Sequence, residues 1–281
     1  MMYIQEPTLD HLLLEDMPYG DLSTALLGIG EMPAKAKIVS RQNCVVSGTE
    51  EVIRIIKKLG GTVSSAAQEG SAISAGEIIL AVTGTAGMLH AAWKVSINIL
   101  EYCSGVASRT RHLLDLAKSV NKNVALVTTR KTIPGTRDLA IKASCAGGAF
   151  PHRLGLSETI LFFEQHCNFT DGLRNLLQST PRIRAACPER KMIVEVTDYE
   201  SALLALDAGV DGIQCDKMPV KEIEQIVKIA SQHSPIIIVI ATGGINDTNI
   251  VSYAETGVHV IATSSVYYGA PADFGFELEK A

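Results

Sequence analysis

The residues with the clearest chemical potential lie in one basic stretch, residues 128–153, with the sequence TTRKTIPGTRDLAIKASCAGGAFPHR. Five basic residues stand there against one acidic residue, a formal charge of +4 in a chain whose net charge is −5. Arginine suits bidentate recognition of carboxylate or phosphate, and Gly147-Gly148 permit close approach of the backbone. The stretch predicts a site for an anionic small molecule, with a solvated helix face as the alternative.

A second stretch, IATGGIND at residues 240–247, places a glycine pair directly after an apolar run. If a helix begins at Asp247, the backbone N–H groups of this turn would face a phosphate. Thr263-Ser264-Ser265, after the next apolar run, could add further donors. These residues predict a phosphate site; the alternative is that TGG forms an ordinary turn.

Two acidic residues, Glu195 and Asp216, close successive apolar runs 21 residues apart. Carboxylates opposite a cationic pocket suit Mg²⁺ and sugar hydroxyl groups. The pair therefore predicts a magnesium or sugar site, and the alternative is that each carboxylate caps a helix.

The elements that must position these residues follow from the spacing of apolar residues. After about residue 120, short β-branched runs alternate with helical patterns, which predicts βα units and a parallel sheet that closes into a barrel. The predicted strands cover residues 124–127, 160–163, 192–196, 212–215, 236–240 and 260–263. In such a barrel the chemistry lies at the carboxyl ends of the strands, which is where the candidate residues stand.

Before about residue 105 the pattern differs. Alternation in AKAKIVS at 34–40 predicts a strand, and Thr49 is expected to cap a helix over 50–59. A long amphipathic helix is predicted over 86–117. The chain thus divides into two regions of different architecture.

Composition excludes several classes of protein. With 281 residues, 47% apolar and 20% charged, the chain is not disordered, and its acidic balance argues against general nucleic-acid binding. The longest apolar run, residues 236–241, is too short to span a membrane. Six cysteines without a CxxC spacing and no signal peptide predict reduced thiols in a cytoplasmic protein.

Seven ordered segments carry a resemblance to a known family, and they are GDLST (20–24), NILEYCSGVAS (98–108), TTRKTIPGTR (128–137), AGGAFPHRLGLSET (146–159), VEV (194–196), DAGVDGIQCDKM (207–218) and ATGGINDTNI (241–250). Over nearly its whole length the chain resembles the quinolinate phosphoribosyltransferase family, also called nicotinate-nucleotide pyrophosphorylases. Within the family, EDMPYGDLST, LHAAWK and PHRLGLSET most resemble the members associated with molybdenum transport.

The resemblance implies a fold and an assembly. An N-terminal α/β sandwich domain, residues 1–106 joined by the tail 270–281, is expected to precede an open, seven-stranded α/β barrel over 107–269. The family works as a homodimer or higher homo-oligomer with active sites at subunit interfaces. The expected partners are therefore small anionic substrates and further copies of the chain, with no nucleic acid and no membrane span.

The implied reaction transfers phosphoribosyl from phosphoribosyl pyrophosphate, with Mg²⁺, to a pyridine nitrogen and releases pyrophosphate. On the acceptor side, Arg130, His152 and Arg153 match carboxylate-binding positions. Lys94 matches an arginine that the family lends to the neighbouring subunit.

On the donor side, Lys131 matches the lysine beside phosphoribosyl pyrophosphate, and Glu195 and Asp216 match the carboxylates around its ribose and Mg²⁺. The matching phosphate-binding positions are Thr242, Gly243, Gly244 and Ser264.

Three departures from the family pattern bear on the substrate. The family's LIKDNH reads LFFEQH at 161–166, so Phe163 replaces a lysine; Lys217 replaces an asparagine, and Tyr268 a histidine. Loss of a buried cation opposite a carboxylate costs about 3–5 kcal/mol. We therefore expect an acceptor less charged than quinolinate, with Phe163 packing on its ring.

Three hypotheses stay open on the sequence. The first is a phosphoribosyltransferase whose acceptor is other than, or broader than, quinolinate. The second is a non-catalytic protein on the same fold that binds a ligand or oxyanion linked to molybdate; the intact Glu195 and Asp216 pair argues against it. The third is that quinolinate is still turned over.

Overall fold

The computed structural model describes residues 2–281; Met1, which the predicted first domain includes, lies outside the described residues. Two compact units are present. The first contains the chain up to Arg111 with Thr132–Gly148 and Val266–Ala281, and the second contains His112–Lys131 and Ala149–Ser265. The predicted domain limits, 1–106 with 270–281 and 107–269, stay a prediction, and the units distribute residues 132–148 differently from them.

The elements up to residue 120 are, in chain order, α1 (Glu6–Asp16), α2 (Leu22–Leu27), β1 (Pro33–Ser40), β2 (Cys44–Val45), α3 (Thr49–Lys58), β3 (Thr62–Ala66), β4 (Ala72–Ile73), β5 (Ile78–Thr85) and α4 (Ala86–Val120). The elements of the remaining chain are β6 (Ala125–Thr128), α5 (Arg137–Ala146), β7 (Phe150–Pro151), β8 (Ile160–Phe162), α6 (Glu164–Cys167), α7 (Leu173–Gln178), α8 (Thr180–Ala186), β9 (Met192–Val196), α9 (Tyr199–Asp207), β10 (Gly212–Asp216), α10 (Val220–Ala230), β11 (Ile238–Thr242), α11 (Ile250–Glu255), β12 (Val260–Thr263), a 3₁₀ turn (Ser265–Tyr268) and β13 (Phe274–Lys280).

The first unit is built on an antiparallel sheet in the order β13-β1-β5-β3. Strand β1 alternates as its sequence predicts, with Ala34, Ala36 and Ile38 buried and Lys35 and Lys37 exposed. The C-terminal strand β13 pairs along the whole of β1. The predicted joining of the C-terminal tail to N-terminal segments therefore has a physical basis in backbone hydrogen bonds.

Helix α3 begins differently from the prediction. Thr49 is its first residue rather than its cap, and Gly48 precedes it with φ 94°. The carboxylate of Glu69 accepts hydrogen bonds from Gly48 N (2.9 Å) and from Thr49 N and Oγ1 (3.2 and 2.9 Å). A residue twenty positions downstream therefore supplies the cap, which no local spacing could reveal.

The second unit contains a seven-stranded sheet in the order β7-β6-β12-β11-β10-β9-β8, and every pair in it is parallel. The edge strands β7 and β8 are consecutive in the chain, and no hydrogen-bonded pairing between them closes the sheet within residues 2–281. The predicted fold class, an open seven-stranded α/β barrel with a separate α/β sandwich domain, is confirmed.

The apolar interior of this sheet comes from alternating strand residues. Leu161, Ile193, Ile240 and Ala262 form a buried cluster, against which Phe163 packs. The cluster joins strands that are distant in the chain and fixes how their carboxyl ends stand beside one another.

No helix within residues 2–281 is long and apolar enough to cross a membrane. All six cysteines are free thiols, and four of them, Cys44, Cys103, Cys167 and Cys215, are buried. Burial raises the pKa of Cys215 to about 12, so this thiol stays protonated near neutral pH.

The basic stretch 128–153 does not act as one cationic surface. In helix α5, Lys142 is 6% exposed and its ammonium donates to Glu50 Oε2 (2.5 Å) and Glu51 Oε1 (2.7 Å), all within the first unit. Burial opposes the charge, but these two hydrogen bonds raise the pKa of Lys142 overall. The charge of Lys142 is therefore neutralised internally, and the solvated-face alternative is wrong for this residue.

We predict that Lys142→Met lowers the free energy of unfolding by about 3–5 kcal/mol, because Glu51, itself 1% exposed, loses its cation in a buried setting. Denaturant titration followed by circular dichroism measures the change. Lys118→Met, at an exposed position near the end of α4, is the matched control and should change it by less than about 1 kcal/mol. Equal midpoints for the two variants would contradict the assignment.

Candidate active site

The carboxyl edge of the parallel sheet collects the predicted site residues of the second unit. Because all seven strands run the same way, the residues that end them share one edge. In sheet order these residues are His152 and Arg153 after β7, Arg130 and Lys131 after β6, Ser264 after β12, Thr242 at the end of β11 with Gly243 and Gly244, Asp216 at the end of β10, Glu195 in β9 and Phe163 after β8. Their individual roles stay predictions.

Arg153 is the least exposed cation of this edge, at 8%. Its guanidinium carbon lies 5.7 Å from the ring centroid of Phe163. Burial lowers the pKa of Arg153, and the positive charge of Arg130 lowers it further. The charge of Glu158 opposes this lowering, but neither guanidinium makes a hydrogen bond or ion pair with another group of residues 2–281. Neither arginine therefore has a directly paired counter-ion.

Phe163 and His152 complete this side of the edge. The Phe163 ring lies 5.9 Å from the His166 ring at an interplanar angle of 22°, and Phe163 N donates to His166 Nδ1 at 3.0 Å. Burial and the charge of Arg153 lower the pKa of His152, so its imidazole is neutral near pH 7. The surroundings offer two fixed cations, a neutral imidazole and an aromatic face.

Glu195 lies in β9, and Asp216 lies at the end of the neighbouring strand β10. Gln214 Nε2 donates to Glu195 Oε2 at 2.5 Å. Burial raises the pKa of Glu195 and the Asp216 charge adds to this, while the Gln214 hydrogen bond and the charges of Lys131 and Lys217 oppose it. The two carboxylates are therefore electrostatic neighbours with ammonium groups around them.

The helix-cap alternative for these carboxylates is wrong. Helix α9 is capped by Asp198, whose side chain accepts from Ser201 N at 2.8 Å. Helix α10 follows Pro219 without a side-chain cap. Glu195 and Asp216 are consequently available for chemistry at the edge.

The glycine pair after β11 turns sharply, with φ 89° at Gly243 and 71° at Gly244. A Cβ atom at Gly243 would lie 2.5 Å from Asp216 Oδ1 and 2.5 Å from Lys217 Cγ, so only glycine fits beside the end of β10. The turn therefore brings its backbone against the carboxylate of Asp216.

The helix predicted to open at Asp247 begins instead at Ile250 and is only six residues long. Asn246 Oδ1 accepts from Thr248 N at 2.9 Å, and Asn249 Oδ1 accepts from Asn246 N at 2.8 Å. These side chains satisfy the backbone in turns that compete with helix. The Thr242 hydroxyl donates to Ala262 O at 3.1 Å and so also serves the fold.

The acidic pair fits Mg²⁺ only in company with a substrate. Within residues 2–281 no group of three or more His, Cys, Asp and Glu side chains could hold a metal ion. Mg²⁺ commonly takes one or two carboxylates and completes its shell with phosphate oxygens and water. Glu195 and Asp216 match that donor set.

Two residues of the neighbourhood escaped sequence reasoning. Gln214, in the run GIQCD, is only 7% exposed. A polar residue inside a predicted buried strand is the signal that could have found it. Lys217 follows a predicted strand and departs from the family pattern, but the sequence assigns it no role in the site; in the structure its charge lowers the pKa of Glu195.

Lys94 and Tyr268 belong to the first unit. Lys94 is exposed on α4, with its Nζ 4.8 Å from the Trp93 ring centroid. Its predicted contribution to a neighbouring subunit stays a prediction.

Comparison with known proteins agrees with this architecture. The chain matches the N-terminal domain of quinolinate phosphoribosyl transferase over residues 21–104 and the C-terminal domain over 106–277. A relative from Escherichia coli O157:H7, named "Putative pyrophosphorylase ModD", is 35% identical over 281 residues, which is 100% of this chain and 99% of the relative. A Synechocystis relative, named "Probable nicotinate-nucleotide pyrophosphorylase", is 30% identical over 95% of this chain and 90% of its own.

The crystal structure of NadC from Streptococcus pyogenes superposes with a TM-score of 0.91 at 23% identity and covers 100% of both chains, which shows the shared fold. Both domain models of the family match in order, and full-length relatives exceed 30% identity. The expectation drawn from the sequence motifs is confirmed, and the chain belongs to the quinolinate phosphoribosyl transferase family, a family of pentosyltransferases.

Proposed function

We propose that the protein transfers phosphoribosyl from phosphoribosyl pyrophosphate to a ring nitrogen of a pyridine-like monocarboxylate. The observation that carries the proposal is the pair Arg153 and Arg130, of which Arg153 is only 8% exposed. The two charges repel each other, and although the charge of Glu158 acts on Arg153, neither arginine has a directly paired counter-ion within residues 2–281. A carboxylate on the acceptor would supply that counter-ion in bidentate geometry. Phe163, under the Arg153 guanidinium, supports a flat ring beside it.

The part of the proposal that concerns phosphoribosyl pyrophosphate rests on the acidic residues of the same edge and on the ammonium group beside them. Glu195 and Asp216 would hold Mg²⁺ together with oxygens of phosphoribosyl pyrophosphate, and Mg²⁺ bound there would stabilise the departing pyrophosphate. Lys131 and the turn at Gly243-Gly244 would contact the phosphate groups.

In the proposed reaction, the ring-nitrogen lone pair forms a bond to ribose C1. The bond from C1 to the pyrophosphate oxygen breaks, and its electron pair leaves with pyrophosphate. Positive charge develops on the ribose ring, and the carboxylates of Glu195 and Asp216 stabilise it. The arginines and Phe163 hold the acceptor nitrogen in line with C1, which is the positioning part of the catalysis.

Further parts of the proposal concern the context of the reaction. Assembly into a homodimer or higher oligomer, with Lys94 reaching the neighbouring subunit's site, follows from the family resemblance. Work in the cytoplasm fits the six free thiols. An association with molybdenum transport follows from the resemblance of the sequence motifs to family members so associated.

The first test measures pyrophosphate release with phosphoribosyl pyrophosphate, Mg²⁺ and the three pyridine monocarboxylates. Arg130→Met and Arg153→Lys should each raise the acceptor KM roughly 10- to 100-fold, because each loses charge-assisted hydrogen bonds. The KM for phosphoribosyl pyrophosphate should stay within about threefold. Arg182→Met, at an exposed position of α8, is the control. If the unaltered protein releases no pyrophosphate with any pyridine carboxylate, the proposed function is wrong.

A second variant tests the acceptor charge. Phe163→Lys should raise kcat/KM for quinolinate at least tenfold, because a cation replaces an apolar face where the second carboxylate would lie. Phe163→Leu keeps the site apolar and should show no such gain. High quinolinate turnover by the unaltered protein, unchanged in Phe163→Lys, would contradict the argument from the missing cation.

A further inference from the structure

Lys217 has an unusual backbone for its side chain. Within residues 2–281, Asp171 and Lys217 are the only non-glycine residues in the left-handed region, and Lys217 has φ 56°. A lysine there costs free energy, because its Cβ crowds the backbone and its side chain cannot compensate locally as Asn or Asp can. Such strain persists where the surrounding structure imposes it, often at functional sites.

The surroundings of Lys217 are the ends of two paired strands. Asp216 is the register partner of Thr242, and Lys217 N donates to Thr242 O at 2.9 Å, one residue beyond the last paired position. The hydrogen bond extends the pairing past the strand end and holds the left-handed turn. The orientation of Lys217 is thus set by the sheet.

This turn lays the Lys217 side chain along the glycine loop. A Cβ atom at Gly243 would touch Lys217 Cγ at 2.5 Å and Lys217 N at 2.7 Å, so the lysine stem occupies the space that the glycine leaves. The same glycine lies against Asp216 Oδ1. The lysine stem therefore lies against the Gly243 turn and next to Asp216, at the ends of the interior strands β10 and β11.

The ammonium itself has no internal role in the fold. Lys217 is exposed, and its Nζ makes no hydrogen bond or ion pair with any group of residues 2–281. Lys131, the other ammonium that acts on Glu195, is exposed as well. Two free ammonium groups thus flank the carboxylates, a charge arrangement that suits a polyphosphate shared with a divalent cation.

We propose that Lys217 is a donor-side binding residue, whose ammonium contacts the pyrophosphate of phosphoribosyl pyrophosphate over the Gly243 turn. The inference rests on the proposed function and adds to it a cation that the left-handed turn aims at the leaving group. Lys217 therefore strengthens the binding of phosphoribosyl pyrophosphate and of the pyrophosphate product, whereas Arg130 and Arg153 bind the acceptor.

The test is calorimetric titration of the full-length protein with inorganic pyrophosphate in Mg²⁺ buffer. Lys217→Asn should weaken binding roughly 10- to 100-fold, because a charge-assisted contact is lost while Asn accepts the left-handed backbone. Lys217→Arg should stay within about threefold. Asp171→Asn, at the other left-handed residue, is the matched control and should bind pyrophosphate as the unaltered protein does.

Steady-state kinetics give an independent reading. In Lys217→Asn the KM for phosphoribosyl pyrophosphate should rise together with the dissociation constant for pyrophosphate. The acceptor KM should be unchanged, and the thermal midpoint should not fall. Equal pyrophosphate affinity in Lys217→Asn and the unaltered protein would overturn this inference and leave the proposed function standing. Absence of pyrophosphate binding in the unaltered protein would instead overturn the donor side of the proposed function and this inference with it.

Discussion

Charges of one sign held side by side at the carboxyl edge of a parallel sheet are the constraint on which this structure depends. Arg130 and Arg153 repel each other, and Asp216 disfavours ionisation of Glu195. Neither arrangement lowers the energy of the isolated chain, so the scaffold must hold both in place. The buried cluster of Leu161, Ile193, Ile240 and Ala262 does this by fixing strands that carry the charged ends. A ligand with an anionic acceptor part and an anionic, metal-binding donor part would supply the favourable charge interactions that these like charges cannot make with one another.

The first unit treats charge in the opposite way. Lys142 is surrounded by Glu50 and Glu51, and the Glu69 carboxylate closes the start of α3 through backbone and hydroxyl donors. Here burial is tolerated because each charge has direct partners, whereas at the sheet edge Arg153 is buried without a hydrogen bond or ion pair. The contrast separates charges that serve folding from charges that serve binding, although both kinds occur in the single basic stretch 128–153.

Much of the edge could be predicted because parallel strands impose a rule on their ends. Arg130, Glu195 and Asp216 each stand at or just after the end of an apolar run, and this position predicts that they lie at the carboxyl edge of the sheet. The same kind of reasoning does not predict where a helix begins when the hydrogen-bond partners of its backbone are side chains, or residues far away in the chain. The helix expected at Asp247 is displaced to Ile250 by the amide side chains of Asn246 and Asn249, and Thr49 does not cap α3 because Glu69 does.

The sequence by itself determined the alternation of strands and helices, the family, and the residue types at the strand ends, because these depend on local periodicity and on motifs. Only the tertiary structure decided which charges are free. It removed Lys142 from the predicted anion site and left Arg153 buried near Arg130 with no directly paired counter-ion. It also put Lys217 into a left-handed turn against Gly243. A charge is free or paired according to groups that lie far away in the chain, and spacing along the sequence carries no information about them.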